Sequence, residues 1–168
     1  MKVAFLDRDG TIIGDYPDEE WKDKIQPVFL EGSFHAMKEI LKKGYEIIIV
    51  TNQYIIGEGI ISLDRYEEFT DNLKCNFVEN GVKILDILFC PHSRNAGCDC
   101  CKPRDGMIKT ALKKYPGIEM DKSFIAGDSS YDIELGNNLG IKTFGINIKN
   151  NRLSYIRVHN LSEIVKYI

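Results

Sequence analysis

Residues 3–11 read Val-Ala-Phe-Leu-Asp-Arg-Asp-Gly-Thr, an apolar run that ends in two carboxylates. A short continuous apolar run is typical of a parallel strand that is covered on both faces. The run leads directly into Asp7 and Asp9, which stand one residue apart and can therefore face the same side. Asp and Gly also favour simple turns, so the pair alone leaves a structural turn and a reactive site equally open. We expect a parallel sheet with these carboxylates at its edge.

Further apolar runs alternate with amphipathic segments along the chain. Strands are expected at 2–6, 45–50, 84–89, 123–126 and 141–146. Ser33 is expected to cap a helix that runs to Lys43, and apolar spacings of three and four predict helices in 63–77, 107–112, 133–139 and 161–165. This alternation predicts an α/β fold with a Rossmann-like parallel sheet flanked by helices, as a single domain over residues 1–168.

Composition narrows the function classes. The 168 residues are 43% hydrophobic and 28% charged, which excludes a wholly disordered chain. Net charge is −3, from 22 basic and 25 acidic residues, and this balance disfavours a nucleic-acid partner. No stretch approaches the apolar length of a membrane span, and Asp7 comes too early for a signal peptide. We expect a cytoplasmic protein; the sequence makes no prediction of its oligomeric state.

Polar groups gather where the predicted strands end, and in open α/β sheets ligands bind beyond those ends. Thr51, Asn52 and Gln53 follow the second strand and can hold phosphate oxygens through hydroxyl and amide groups. Lys102 lies in the segment after the third strand. Asp128 follows the fourth strand and offers the oxygen ligands that Mg²⁺ prefers. The sequence therefore predicts a phosphate and metal site at this edge.

Four segments in this order resemble the motifs of the haloacid dehalogenase (HAD) superfamily of phosphatases. They are DxDGT at residues 7–11, a Thr-Asn pair at Thr51, the lysine at Lys102 and GDxxxD at 127–132. Together they span nearly the whole chain. The resemblance implies a HAD-like fold and a Mg²⁺-dependent phosphomonoester hydrolase. No insertion of domain size follows the first two strands, so we expect a minimal cap and a fairly open site.

The resemblance also implies roles for these residues. Asp7 would attack phosphorus and form an aspartyl-phosphate, and Asp9 would protonate the leaving alcohol and then activate water. Mg²⁺ would be held by Asp7, Asp128 and the carbonyl of Asp9. Two further groups would stabilise the charge of the transferring phosphoryl group: Thr51 by a hydrogen bond and Lys102 by its ammonium.

Asp132, the last residue of GDxxxD, is expected to orient Lys102 or a metal-bound water rather than to act directly. Cys75, alone in a helical pattern, is expected to be a buried and inert thiol.

Four of the five cysteines fall within residues 90–101. In a chain without an export signal, such a cluster points to a metal rather than to disulfides. The segment resembles the zinc loop of a HAD subgroup that contains heptose-bisphosphate phosphatases and the histidinol-phosphatase domain. That match implies a structural Zn²⁺ with the ligands Cys90, His92, Cys98 and Cys100.

Cys101 stands where the subgroup commonly has an arginine that recognises substrate. A thiol cannot make the bidentate phosphate contact of a guanidinium, so recognition of a second phosphate is in question. Arg94 and Arg104 are nearby substitutes. Cys101 could also compete with Cys100 as the zinc ligand.

The favoured substrate is a small phosphate ester, a sugar phosphate such as D-glycero-D-manno-heptose 1,7-bisphosphate. Histidinol phosphate is the main alternative, because the five-residue gap between His92 and Cys98 is similar to that domain's loop. A nucleic-acid 3′-phosphatase is a weaker alternative, as is a non-catalytic zinc-loop binding module.

Overall fold

Six parallel strands form the central sheet of the computed structural model, which describes residues 1–149 and 152–168. In chain order the strands are β1 (Lys2–Leu6), β2 (Tyr45–Asn52), β3 (Asp86–Cys90), β4 (Phe124–Gly127), β5 (Lys142–Ile146) and β6 (Ile156–Val158). Across the sheet they run β3-β2-β1-β4-β5-β6, with every neighbouring pair parallel. The predicted parallel sheet is confirmed. The prediction missed β6, because three residues are too few for an apolar run to stand out.

Helices cover both faces of the sheet. They are α1 (Ser33–Lys42), α2 (Tyr54–Gly57), α3 (Leu63–Glu79), α4 (Gly106–Lys114), α5 (Ser130–Leu139) and α6 (Leu161–Ile164), with 3-10 turns at Asp18–Asp23 and Met120–Lys122. Side chains of β1 alternate between two cores. Leu6 packs into the core shared with α1, α3 and α6, whereas Phe5 packs into the core shared with α4 and α5. This alternation follows from the period of two along a strand.

Helix α3 carries the apolar stripe that the sequence predicts, except at its first residue, Leu63, which is exposed. Phe69, Leu73 and Phe77 are buried in the core. Cys75, expected to be a buried thiol, is exposed. It lies two positions from both Leu73 and Phe77, and a two-residue step on a helix turns the side chain to the opposite face.

The strand order reverses between β1 and β4, since the chain moves outward from β1 through β2 to β3 and returns to β4 on the other side. Loops leaving the carboxyl ends of β1 and β4 therefore diverge and open a crevice, which is where ligands bind in such folds. None of the helices in the described parts of the chain is long and apolar enough to cross a bilayer.

Candidate active site

Two carboxylates meet at the crevice between β1 and β4. Asp7 directly follows β1, and its N–H donates to the Ala126 carbonyl of β4 at 2.9 Å. Asp128 directly follows β4. Gly10 makes their approach possible, because it has a φ of 76° and a Cβ there would lie 2.0 Å from the Asp128 carboxylate. Glycine is thus needed both for the backbone conformation and for space.

Lys102 is buried among acceptors in the middle of the site. Its Nζ lies 2.6 Å from Asp7 Oδ1, 2.6 Å from Asp132 Oδ1 and 2.9 Å from the carbonyl of Val50. Burial alone disfavours the ammonium, but Asp132 and Asp7 outweigh it and raise the pKa of Lys102. The lysine is therefore a fixed positive charge beside Asp7. Its contact with Asp132 agrees with the first of the two roles expected for Asp132, the orientation of Lys102.

Asp7, Asp128 and Asp132 bring carboxylate oxygens within 4.8 Å of one another. Burial raises the pKa of Asp128 to about 7, and the charge of Asp132 adds to the shift. Burial likewise raises the pKa of Asp7, against the attraction of Lys102. One buried ammonium does not compensate three carboxylates, and clustered carboxylate oxygens are the donors that Mg²⁺ prefers. The donor set fits a hard divalent cation.

Asp9 is held by donors on both of its oxygens. Arg8 Nε donates to Oδ1 at 2.8 Å and Nη2 to Oδ2 at 3.0 Å. Gln53 Nε2 also donates to Oδ2, at 2.8 Å, and to Thr51 Oγ1 at the same distance. Asp9 lines the crevice without joining the carboxylate cluster of Asp7. Its side chain is therefore placed apart from the clustered oxygens of Asp7, Asp128 and Asp132.

Three residues at the end of β2 are predicted to contact the phosphate ester. The side-chain amides of two of them form hydrogen bonds within the protein. Thr51 is buried and lines the crevice. Asn52 bonds to the main chain of Lys102 in both directions. Gln53 bridges Thr51 and Asp9. The amides of Asn52 and Gln53, predicted to bind substrate, thus hold other residues of the site.

The cysteine loop brings four predicted zinc ligands together. Cys90 Sγ lies 3.5 Å from Cys98 Sγ and 3.1 Å from Cys100 Sγ, and His92 Nδ1 lies 3.1 Å from Cys100 Sγ. All four ligand atoms lie within 4.8 Å of one another. Three sulfurs and one ring nitrogen at these separations fit a tetrahedral ion with Zn–S bonds of about 2.3 Å. Cys101 is outside this group, so the geometry favours Cys100 as the fourth ligand.

Helix α2 packs closely against this loop. A Cβ at Gly57 would lie 2.3 Å from the main-chain nitrogen of Ser93. Arg94 makes ion pairs of 2.7 Å with Asp18 and with Glu58, and its guanidinium carbon lies 3.7 Å from the Tyr54 ring centre. The loop is therefore fastened both to α2 and to the 3-10 turn at 18–23.

A cavity of about 710 Å³ lies over the carboxylate cluster. Its walls include Trp21, Tyr131, Arg94, Cys101 and Arg104. Residues from the segment 12–30 and from the cysteine loop form this wall, and the site has the minimal cap that the sequence predicts. Arg94 is engaged by two carboxylates, whereas Arg104 donates to the carbonyl of Cys98. Of the two predicted substitutes for the missing arginine, Arg104 is the one whose described partners include no carboxylate.

Two residues of the site escaped the sequence reasoning. Arg8 occupies the variable position of DxDGT, and a charged residue directly after an apolar strand is the signal that could have identified it. Asp15 lines the cavity and lies outside the motifs. Burial raises the pKa of Asp15, and Asp9 and Asp18 contribute repulsion.

The chain is similar to a family of phosphatases and to phosphatases of known function. The family model described as "Polynucleotide kinase 3 phosphatase" matches residues 2–147. A D-glycero-alpha-D-manno-heptose-1,7-bisphosphate 7-phosphatase of Photorhabdus laumondii is 40% identical over 149 residues, covering 84% of this chain and 79% of that protein. A D-glycero-beta-D-manno-heptose-1,7-bisphosphate 7-phosphatase of Pasteurella multocida is 34% identical over 147 residues, covering 84% and 78%.

A solved structure shares the fold. The D,D-heptose 1,7-bisphosphate phosphatase from B. bronchiseptica, complexed with magnesium and phosphate, superposes with a TM-score of 0.85. The match covers 99% of this chain and 97% of that one at 22% sequence identity. At this identity the likeness concerns the fold, and the predicted HAD-like architecture is confirmed.

Proposed function

The chain belongs to the HAD-superfamily phosphatases, in the family of the D-glycero-D-manno-heptose-1,7-bisphosphate 7-phosphatases, and on this basis we propose that it is a Mg²⁺-dependent phosphomonoester hydrolase acting on a phosphorylated sugar. The observation that carries the proposal is the position of Asp7. It lies at the mouth of the β1–β4 crevice, ion-paired to a buried lysine and clustered with two further carboxylates.

Asp7 is the nucleophile in this proposal. One of its carboxylate oxygens attacks phosphorus, and the bond from phosphorus to the substrate oxygen breaks as the aspartyl-phosphate forms. Water then attacks the same phosphorus, the bond to the Asp7 oxygen breaks, and inorganic phosphate leaves. Asp7 returns to its starting carboxylate, so the cycle is complete.

Asp9 moves the proton in both steps. Its carboxyl group gives a proton to the departing alcohol oxygen, and the resulting carboxylate takes a proton from the attacking water. Its place supports this role, since Asp9 lines the cavity and lies outside the carboxylate cluster of Asp7.

Counter-charge is required because a carboxylate repels a phosphate dianion. Unit charges 4 Å apart interact by about 4 kcal/mol at an effective dielectric of 20, and a dianion raises this further. Mg²⁺, bound by Asp7, Asp128 and the Asp9 carbonyl, would supply positive charge to the nucleophile and the phosphoryl oxygens. Lys102 adds a fixed ammonium, held in place by Asp132, and Thr51 donates a hydrogen bond to the phosphoryl group.

The cysteine loop has a structural role in this proposal. Four protein ligands, Cys90, His92, Cys98 and Cys100, would leave Zn²⁺ no open position for chemistry. The ion would make the loop rigid where it forms the cavity wall and leads to Lys102. Three thiolate ligands need a reducing compartment, which supports a cytoplasmic location.

The substrate proposed is a heptose 1,7-bisphosphate. Relatives named for the alpha and the beta anomer match the same share of this chain, so both anomers are candidates. Release of inorganic phosphate should be measured on both anomers, on histidinol phosphate and on a 3′-phosphorylated oligonucleotide, with and without Mg²⁺. A heptose bisphosphate should be the best substrate, as judged by kcat/KM, and turnover should need Mg²⁺. A higher kcat/KM for the oligonucleotide would show that the substrate is a polynucleotide end and not a sugar phosphate.

Asp7→Asn tests the nucleophile. Turnover of every substrate should fall to background, because an amide oxygen does not attack phosphorus. The thermal midpoint should not decrease, since a buried carboxylate is removed from a repelling cluster. Asp71→Asn, at an exposed position on α3, is the matched control and should keep full activity. Substantial turnover by Asp7→Asn would show that the nucleophile is another group.

A further inference from the structure

Arg8 lies between Asp7 and Asp9 in sequence and is almost completely buried. Only 1% of its side chain is exposed. The guanidinium meets Asp9 with two parallel hydrogen bonds, from Nε and from Nη2, of 2.8 and 3.0 Å. This fork fixes both oxygens of one carboxylate, so it restrains rotation of the carboxyl group as well as its position.

Three aromatic rings enclose the same guanidinium. The ring centres of Trp21, Tyr66 and Phe69 lie 5.4, 5.5 and 5.2 Å from its central carbon. Such distances suit cation–π attraction, which strengthens away from water. The rings belong to the 3-10 turn and to α3, and Trp21 packs edge-on against Phe69. Packing against the 3-10 turn and α3 therefore holds the guanidinium that bonds to Asp9.

Fold stability alone does not require this arrangement. A buried ion pair recovers its desolvation penalty only with very good geometry, and apolar replacements of such pairs are often neutral or stabilising. Nη1 is also buried, with no hydrogen-bond partner among the described residues. Arg8 thus leaves one buried donor without a partner in the part of the chain that the structure describes, whereas two others bond to Asp9. This pattern points to a role in holding Asp9.

We propose that Arg8 is a positioning residue that holds the carboxyl group of Asp9 in the orientation needed to transfer a proton to the leaving alcohol. This inference rests on the proposed function, in which Asp9 is the general acid and base. Gln53 supports the same carboxylate from a second direction, at Oδ2. A lysine at position 8 would keep the charge but provide a point contact in place of the fork.

Substrates with different leaving groups can distinguish the loss of a positioned acid from a general loss of activity. A nitrophenolate leaves without being protonated, whereas an alkoxide needs a proton. Loss of the general acid should therefore slow aspartyl-phosphate formation from alkyl phosphates but not from nitrophenyl phosphate. The value of kcat/KM reports the steps up to alcohol release and is the quantity to compare. Wild type, Arg8→Lys, Arg8→Met and Asp9→Asn should each be measured on nitrophenyl phosphate and on the best sugar phosphate.

Arg8→Lys should reduce kcat/KM for the sugar phosphate by about 10²-fold, the lower range of general acid catalysis, with little change for nitrophenyl phosphate. Asp9→Asn should show the same selectivity. The inference on Arg8 is overturned if Asp9→Asn is selective but Arg8→Lys slows both substrates equally or neither. If Asp9→Asn slows both substrates equally or neither, Asp9 is not the general acid of the proposed function. The inference on Arg8, which depends on that role, is then also wrong.

Arg8→Met leaves the partly buried Asp9 carboxylate without its cation and can fail to fold. The double variant Arg8→Met with Asp9→Asn removes both charges and avoids that penalty. If Arg8 acts through Asp9, the double variant should match Asp9→Asn in kcat/KM on both substrates. A further equal loss on both substrates would contradict the inference.

Discussion

Asn52 holds the main chain of Lys102 in both directions: its Oδ1 accepts from the Lys102 N–H at 2.9 Å, and its Nδ2 donates to the Lys102 carbonyl at 3.2 Å. The two residues are fifty positions apart in sequence. This pairing joins the end of β2 to the loop after β3, and it sets where the lysine side chain enters the site. Asn52 is expected to bind substrate and lines the cavity, and it is also part of the support for the ammonium.

Asn52→Ala should therefore act on the chemical step. Small displacements of a catalytic group can cost about 10²-fold in rate, so we expect kcat to fall by about 10- to 100-fold. Activity assays with saturating Mg²⁺ and substrate measure this. Asn76→Ala, which removes an amide that donates to one carbonyl within α3, is the control and should keep its kcat. An unchanged kcat in Asn52→Ala would remove Asn52 from the support of Lys102.

Gly10→Ala should weaken Mg²⁺ binding. The new Cβ would overlap the Asp128 carboxylate and push it away from Asp7. We expect the Mg²⁺ concentration for half-maximal activity to rise by about tenfold or more, equivalent to about 1.4 kcal/mol. Titration of activity with Mg²⁺ gives the value.

Gly59→Ala is the matched control for Gly10→Ala. Gly59 has a φ of 73°, close to that of Gly10, but a Cβ there meets nothing within 4 Å. Both variants should lose about 1–2 kcal/mol of stability from left-handed strain. Only Gly10→Ala should change the Mg²⁺ requirement, and equal requirements would contradict the proposed cation site.

Cys100→Ser and Cys101→Ser form a pair that tests the zinc loop. Elemental analysis of the wild type should find about one zinc per chain. Cys100→Ser should lose most of this zinc and unfold at a lower temperature, with each kcal/mol lowering the midpoint by about 2–4 °C. Cys101→Ser should keep both properties, because its sulfur is outside the cluster. Equal zinc loss in the two variants would show that the ligands exchange.

Cys101→Arg should increase the preference for a bisphosphate over the corresponding monophosphate. Cys101 lines the cavity, and a guanidinium there can grip a second phosphate with two hydrogen bonds. The ratio of the two kcat/KM values is the measurement. Cys75→Arg, at the exposed position on α3, controls for the added charge. A ratio no higher than in wild type would mean that Arg104 or another group already fills this role.

The local chemistry of the site could be predicted from the sequence. Apolar runs next to Asp7 and Asp128 place both residues at strand ends, because the period of a strand and the turn-forming character of Asp and Gly act over a few residues. The spacing of Cys90, His92, Cys98 and Cys100 likewise belongs to one short loop. Cys75 shows the limit of such reasoning, since the pattern identified the helix but the residue was assigned to the wrong face.

The sequence predicts the carboxylates at the strand ends, the alternation of strands and helices, and the spacing of the cysteine loop, because each depends on residues close together in the chain. Three contacts appear only in the folded chain: Arg8 holds Asp9 inside an aromatic enclosure, Asn52 holds Lys102, and Cys101 lies outside the Cys/His cluster. These relationships depend on which distant segments pack together, and hydrogen-bond geometry is set by distances of a few tenths of an ångström that no periodic pattern encodes.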